Sequence, residues 1–196
     1  MITVEEALEI VHTHLGNWGT EEIFLDESLG RILQEEIVAD RDFPPFNRVT
    51  MDGIGLSFDQ FEKGQRVFEI KGVAPAGGLQ MELQDPSSCL EVMTGATVPI
   101  GVDAVVCYED LEIHEGKVTV MLSNLNRDQN IHFKGSDRHQ GTVILSPGKC
   151  ISASEVGVCA TVGKNKISVS RLPKTLIVSS GDELVNIDQT PLSHQI

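Results

Sequence analysis

Basic residues are scarce in this chain. Its 15 lysines and arginines stand against 29 aspartates and glutamates, a formal net charge of −14 over 196 residues. A surface of that sign repels phosphate backbones and anionic membranes, so nucleic acid and membrane are excluded as expected partners. Any anionic ligand then needs local cations or a metal. Long apolar runs are missing too: none approaches the ~18 residues of a membrane span. The opening Met1-Ile2-Thr3-Val4-Glu5-Glu6 has neither the basic nor the apolar region of a secretory leader, and the expectation is a cytoplasmic protein. Cys89, Cys107, Cys150 and Cys159 form no C-x-x-C pair and lie in apolar contexts such as Val105-Val106-Cys107. They read as buried, reduced thiols rather than a disulfide framework or a zinc site.

With 40% hydrophobic residues the chain can bury a real core, and at roughly 100–200 residues per domain it holds one or two domains. Thr3-Val4-Glu5-Glu6 is a capping-box pattern, followed by Val4, Ala7, Leu8, Val11 and Leu15 at helical spacing and ended by Gly16. His12 and His14, two apart, fall on different faces of that helix. Glu22 to Leu25 reads as a short strand, Ser28 to Leu33 as a helical turn, and Glu36 to Ala39 as a strand leading to Pro44-Pro45. Arg31 reads as the structural partner of a nearby acid.

From Gln65 to Lys134 the pattern becomes a series of short β-like runs: Arg66–Lys71, Ser88–Met93, Ala104–Tyr108, Leu111–Ile113, Lys117–Met121 and Ile131–Lys134. That predicts a small sandwich or barrel, with Glu115-Gly116 turning a hairpin. Val143 to Leu145 is strand-like, and Ser152-Ala153-Ser154-Glu155 is a second capping box opening a helix that ends near Gly163. Lys174 to Ser179 reads as a buried parallel strand that stops at Ser180-Gly181-Asp182-Glu183, where a polar loop at a strand's carboxyl end can hold a ligand. Only Leu184 to Ile196 follow, too little for the crossover that a parallel strand requires.

The stretch around which the chain is organised is Pro44 to Gly55, PPFNRVTMDGIG. Two prolines launch a rigid segment, Phe46 anchors it, and Asn47, Arg48 and Thr50 offer polar groups to a backbone or a ligand. Met51-Asp52-Gly53 then sets a carboxylate before a flexible residue. Alone, Asp52 could simply cap a turn at an interdomain elbow. A second stretch, Val92 to Val106 (VMTGATVPIGVDAVV), puts the Thr94 hydroxyl and the approachable Gly95 backbone at a strand end.

In this order the two stretches resemble the molybdopterin molybdenumtransferase family, the MoeA proteins and the E domain of gephyrin. Ala76-Gly77, Asn130-Ile131, Gly135 with Asp137, and SSGDEL at Ser179 to Leu184 extend the resemblance along essentially the whole chain. It implies an α+β, multidomain fold. A helix-rich discontinuous domain (1–45 and 140–172) carries an inserted β-barrel or sandwich domain (46–139), and 173–196 begin a truncated α/β molybdopterin-binding domain. The implied activity is insertion of molybdenum from molybdate into adenylylated molybdopterin with release of AMP, assisted by Mg²⁺.

The residues carried over are Asp52, Thr94 and Glu183 as catalytic, and Gly95, Asp137, Ser180, Gly181 and Asp182 as cofactor-binding. Asp52, Asp182 and Glu183 are the metal candidates; Glu183 also suits a helix cap. A homodimer, and contact with the molybdopterin adenylyltransferase, are the implied assemblies. Departures from the family pattern are Val49-Thr50 for Ser-Ala, Ile54 for a tyrosine whose hydroxyl is thereby lost, Ser136 for a glutamate and Ser180 for a threonine. The chain is read as the N-terminal portion of such an enzyme, with no activity expected from it alone. The alternative is a non-catalytic diverged member or dimeric scaffold.

Overall fold

The computed structural model describes residues 2–196. In chain order run α1 (Val4–Thr13), β1 (Thr20–Phe24), β2 (Ile37–Val38), β3 (Arg48–Val49), β4 (Gly53–Leu56), α2 (Phe58–Glu62), β5 (Val67–Ala74) and β6 (Cys89–Val92). There follow β7 (Ala104–Cys107), β8 (Leu111–His114), β9 (Lys117–Val120), β10 (Ile131–His132), β11 (Val143–Leu145), α3 (Ala153–Thr161) and β12 (Lys166–Ser170). Strands dominate, so the helix-rich description is corrected: the three described α-helices are short, and both ends of the chain spend more residues in extended or irregular backbone than in helix. Capping patterns mark where a helix starts and say nothing of how much helix follows. Among the described residues, no helix is long and apolar enough to cross a membrane.

The chain divides into two compact units. The first comprises 1–35, 147–156 and 165–196. Its α1 begins as the sequence dictates: the Thr3 hydroxyl accepts the Glu6 N–H at 3.1 Å, and the Glu6 carboxylate accepts the Thr3 N–H at 2.8 Å. The apolar stripe of this helix stays exposed, with no buried residue along it. β1 pairs antiparallel with β12, Ile23 opposite Ile167, and alternation buries Ile167 and Val169. Arg31 is indeed a structural partner, bonding Glu21 and the Ser170 carbonyl. The helical turn expected at Ser28–Leu33 is instead a 3-10 turn at Leu25–Glu27, and Ile32 and Leu33 make single bridges to Cys150 and Val169.

The strand expected at Lys174–Ser179 is also corrected, since no helix or strand occupies residues 171–196 and Ile177 is 88% exposed. An apolar run makes a strand only where a neighbouring strand completes its ladder, and no described strand pairs with this segment. The thiols are free, as read, but only Cys89 and Cys159 are buried; Cys107 is half-buried and Cys150 exposed, because local apolar neighbours do not guarantee burial.

The second unit, 36–146 with 157–164, is built on a curled six-stranded sheet of order β7-β4-β6-β5-β9-β8. All its pairs are antiparallel except β5–β6. The long β5 makes the curl: Val67–Glu69 pair with β9, the register shifts after Ile70, and Val73–Ala74 pair with β6. Both faces are covered. Ala104 and Val106 of β7 enter one core cluster with Ile54, Leu56 and Phe68, while Val105 between them enters another with Val49, Leu90 and Val92. β4 is therefore buried throughout although half of it is glycine. The expected hairpin forms, with Glu115 and Gly116 both at positive φ between β8 and β9.

Candidate functional site

The Pro44–Gly55 segment does not end in a loop but feeds into β4, with Gly53 opposite Val92 on one side and Cys107 on the other. A Cβ on Gly53 would lie 1.9 Å from the Val106 carbonyl oxygen, so only glycine lets β4 lie this close to β7. The consequence falls on the residue before it. Asp52 is carried to the mouth of the sheet beside the turn that follows β6, and its Oδ1 accepts the Thr94 N–H at 2.6 Å across 42 residues of sequence. Gly95, at φ +88°, makes that turn, and its N–H donates to the Val49 carbonyl at 2.9 Å.

Asp52 is exposed, and its carboxyl is held below the usual carboxylate range, first by the Thr94 N–H and then by the Thr94 side chain, against a smaller opposing effect of desolvation. It is thus an oriented anion with one oxygen committed and the other open. Tyr108 lies beside it, its N–H donating to the Asp52 carbonyl at 3.3 Å and its hydroxyl to Glu91. Burial, then the bond to Glu91 and the nearby carboxylates, push the Tyr108 phenol up to about 12, so it remains a donor. Sequence reasoning missed this neighbour. The signal was available in retrospect: this is the one tyrosine of the chain, and pairing of Met-Asp-Gly with Val-Cys-Tyr sets it opposite Asp52. Ile54, where the sequence reading counted a hydroxyl lost, is fully buried in the core, so that position serves packing rather than the site.

β3 is stitched to both neighbours. Its Val49 N–H donates to Ala96, while Val49 and Arg48 pair with Ile131 and His132 of β10. Asn130, at φ +58°, donates its side-chain amide to the Val105 carbonyl at 3.0 Å, and its own carbonyl accepts the Thr50 N–H. Asp137 sits in the turn after β10, its Oδ1 3.0 Å from His132 Nε2 and its N–H bonded to the Phe43 carbonyl. Gly135 donates in the same way to Pro44, across a cis Phe43–Pro44 bond. Asp52 and Thr94 are therefore in direct hydrogen-bonded contact, Gly95 next to Thr94 is tied to β3 through Val49, and Asp137 flanks the other side of β3 through His132.

Ser180, Gly181, Asp182 and Glu183 belong to the first unit, in irregular exposed backbone where Gly181 accepts the Leu184 N–H and Glu183 the Ile196 N–H. Glu183 caps no described helix, so its capping alternative is set aside. Among the described residues, no group of three or more His, Cys, Asp or Glu side chains is placed to hold a metal ion. Of the metal candidates, Asp52 offers one open carboxylate oxygen, and a divalent cation does not find a protein cage here.

The fold that carries this site, with its curled six-stranded sheet, is MoeA-like. Two crystal structures of the molybdopterin biosynthesis MoeA protein from Pyrococcus horikoshii share it. One aligns with a TM-score of 0.78 at 28% identity over 100% of this chain and 51% of the other, the second with 0.83 at 29% over 92% and 49%. The family model for the MoeA N-terminal region (domain I and II) matches residues 2–163, and the chain belongs to that family. It is 39% identical over 197 residues to a molybdopterin molybdenumtransferase of Synechocystis, covering 100% of this chain and 50% of the relative. It is 32% identical to one of Staphylococcus epidermidis, covering 95% and 45%. The chain thus spans about half the length of the curated relatives it matches.

Proposed function

We propose that this chain serves molybdenum cofactor biosynthesis as the N-terminal portion of a molybdopterin molybdenumtransferase, inserting molybdenum from molybdate into adenylylated molybdopterin with release of AMP. The observation that carries the reading is the Asp52–Thr94 bond, which joins the chain's two family motifs at one point. An ionised, oriented carboxylate with an open oxygen suits the ordering of a water or a substrate-bound cation. The exposed Thr94 hydroxyl and the Gly95 backbone suit the oxyanions of the substrate. Asp137, Ser180, Gly181, Asp182 and Glu183 are the further contacts proposed. Mg²⁺ would arrive with the substrate phosphates, and no step is assigned to it because the described residues supply no three-ligand cluster.

The chain encodes one wall of such a cleft, and proximity catalysis needs every donor around one bound substrate. The test is reconstitution of a molybdenum enzyme from adenylylated molybdopterin and molybdate. Residues 1–196 alone should be inactive, and a parent extended with the relatives' remaining half should be active. Asp52→Asn in that parent should keep the fold, since an amide oxygen can accept the same Thr94 N–H, yet lower cofactor formation by about tenfold or more. Undiminished Asp52→Asn activity would refute the role given to that residue. A second reading, a dimeric scaffold without catalysis, draws on the exposed apolar stripe of α1; an inactive extended parent that still dimerises would favour it.

A further inference from the structure

Arg48 is the member of the organising stretch that the site above leaves unused. In a chain of net charge −14, the other six arginines give their guanidinium donors to carboxylates or backbone carbonyls: Arg127 to acids, Arg31 and Arg41 to both, and Arg66, Arg138 and Arg171 to carbonyls. Arg48 alone of the seven donates to an imidazole, its Nη2 lying 3.3 Å from His132 Nδ1. On the far side of that ring, Nε2 lies 3.0 Å from Asp137. Both contacts are satisfied together by the neutral tautomer with its proton on Nε2, which donates to Asp137 and leaves the Nδ1 lone pair to Arg48.

The guanidinium is thereby held in place without being neutralised. A guanidinium has five N–H donors, and one is used by His132. Val49 beside it enters the core, so Arg48 points to the opposite, solvent face, where its cross-strand neighbours His132 and Thr97 stand in the same row. Thr97 adds a half-buried hydroxyl. The row is joined to the Asp52–Thr94 pair along two segments of chain: Arg48 is four residues before Asp52 and Thr97 three after Thr94, a separation of at most about 14 Å.

We infer that Arg48, His132 and Thr97 form a subsite for a tetrahedral oxyanion, a phosphate group or a metal oxyanion, at the opposite end of the strip from Asp52. Asp137 is the positioning residue that fixes the imidazole. The inference deepens the transferase reading by placing the anionic part of the substrate, while its test requires no turnover. The planar fork supplies charge-assisted bonds to two oxygens, while His132, itself bonded to Asp137, keeps the guanidinium oriented toward them.

The test is titration of residues 1–196 with inorganic phosphate, AMP or molybdate at constant ionic strength, read by ¹⁵N NMR of the arginine Nε and histidine ring nitrogens. A saturable shift of Arg48 and His132 is expected, with a dissociation constant of about 1–10 mM. Response to phosphate and AMP alike assigns the subsite to a nucleotide phosphate, and response to molybdate alone to the metal oxyanion. Arg48→Gln should weaken binding about tenfold or more, whereas Arg138→Gln, which removes an exposed charge from the adjacent turn, should change it by less than about twofold. Absence of a saturable shift, or equal losses in the two variants, would overturn the inference. An inactive extended parent would leave these results intact, so failure of the transferase reading is distinguishable from failure of the subsite.

Discussion

Gly53→Ala should be the most damaging single methyl that can be added to the site. The new Cβ would stand 1.9 Å from the Val106 carbonyl oxygen, where carbon and oxygen tolerate about 3.3 Å. β4 and β7 must therefore separate by roughly 1.4 Å at the point where Gly53 faces Cys107. Overpacking of this kind costs about 1–3 kcal/mol, and stretching one or two ladder hydrogen bonds beyond reach adds about 1 kcal/mol each. The expected loss is about 2–5 kcal/mol, or about 0.7–2.5 M in urea midpoint at a slope of roughly 2–3 kcal/mol per molar.

Denaturation is followed by the near-ultraviolet circular dichroism of Tyr108, the sole tyrosine, which lies in the same unit. Exchange of the Thr94 amide reports separately whether the bond to Asp52 survives. Gly157→Ala is the control: it adds the same methyl within α3, where no atom lies within 4 Å, and it should stabilise by about 0.5–1 kcal/mol. A Gly53→Ala midpoint within about 1 kcal/mol of wild type would refute the claim that close approach of the strands fixes this glycine.

Two further outcomes are expected. Glu155 is held down to about 2, first by the Ser152 hydroxyl and then by its N–H. Its capping contribution is accordingly present above the ordinary value of 4.5 and lost as pH falls toward 2. NMR titration of the Glu155 carboxyl should move back toward 4.5 in Ser152→Ala, and an ordinary titration in the wild type would refute the capping role. Val4, Leu8 and Val11 along α1, and Leu15 just beyond it, are each more than half exposed, a face that a homodimer would cover; light scattering at tens of micromolar should give a dimer that Leu8→Asp with Val11→Asp converts to a monomer, and a wild-type monomer would count against it.

Much of the local structure was legible because its causes are local. Thr3 with Glu6 and Ser152 with Glu155 specify helix starts through bonds three residues apart, and Glu115-Gly116 specifies a turn through its backbone preferences. The β runs between Arg66 and Met121 were found within a residue or two at most boundaries, since alternation and turn residues are written in the chain. β4 was not, because Gly-Ile-Gly-Leu carries a poor strand preference that close approach to Val106 overrides. Lys174–Ser179 failed the other way, having the composition of a strand but no described partner.

For the site, the sequence determined which groups were available: an aspartate before a glycine, a threonine before a glycine, and an arginine and an asparagine near two prolines. Tertiary structure decided their use. Asn47 went to the backbone, accepting the Lys134 N–H, whereas Asp52 met Thr94, Tyr108 came beside it, and Arg48 met His132. Each of these meetings spans more than forty residues and depends on strand register, where a slip of one residue would turn every side chain to the other face. Local residue preferences carry no record of that register. It is set by which alternate residues of β4, β6 and β7 are buried together, and that selection exists only once the sheet has formed.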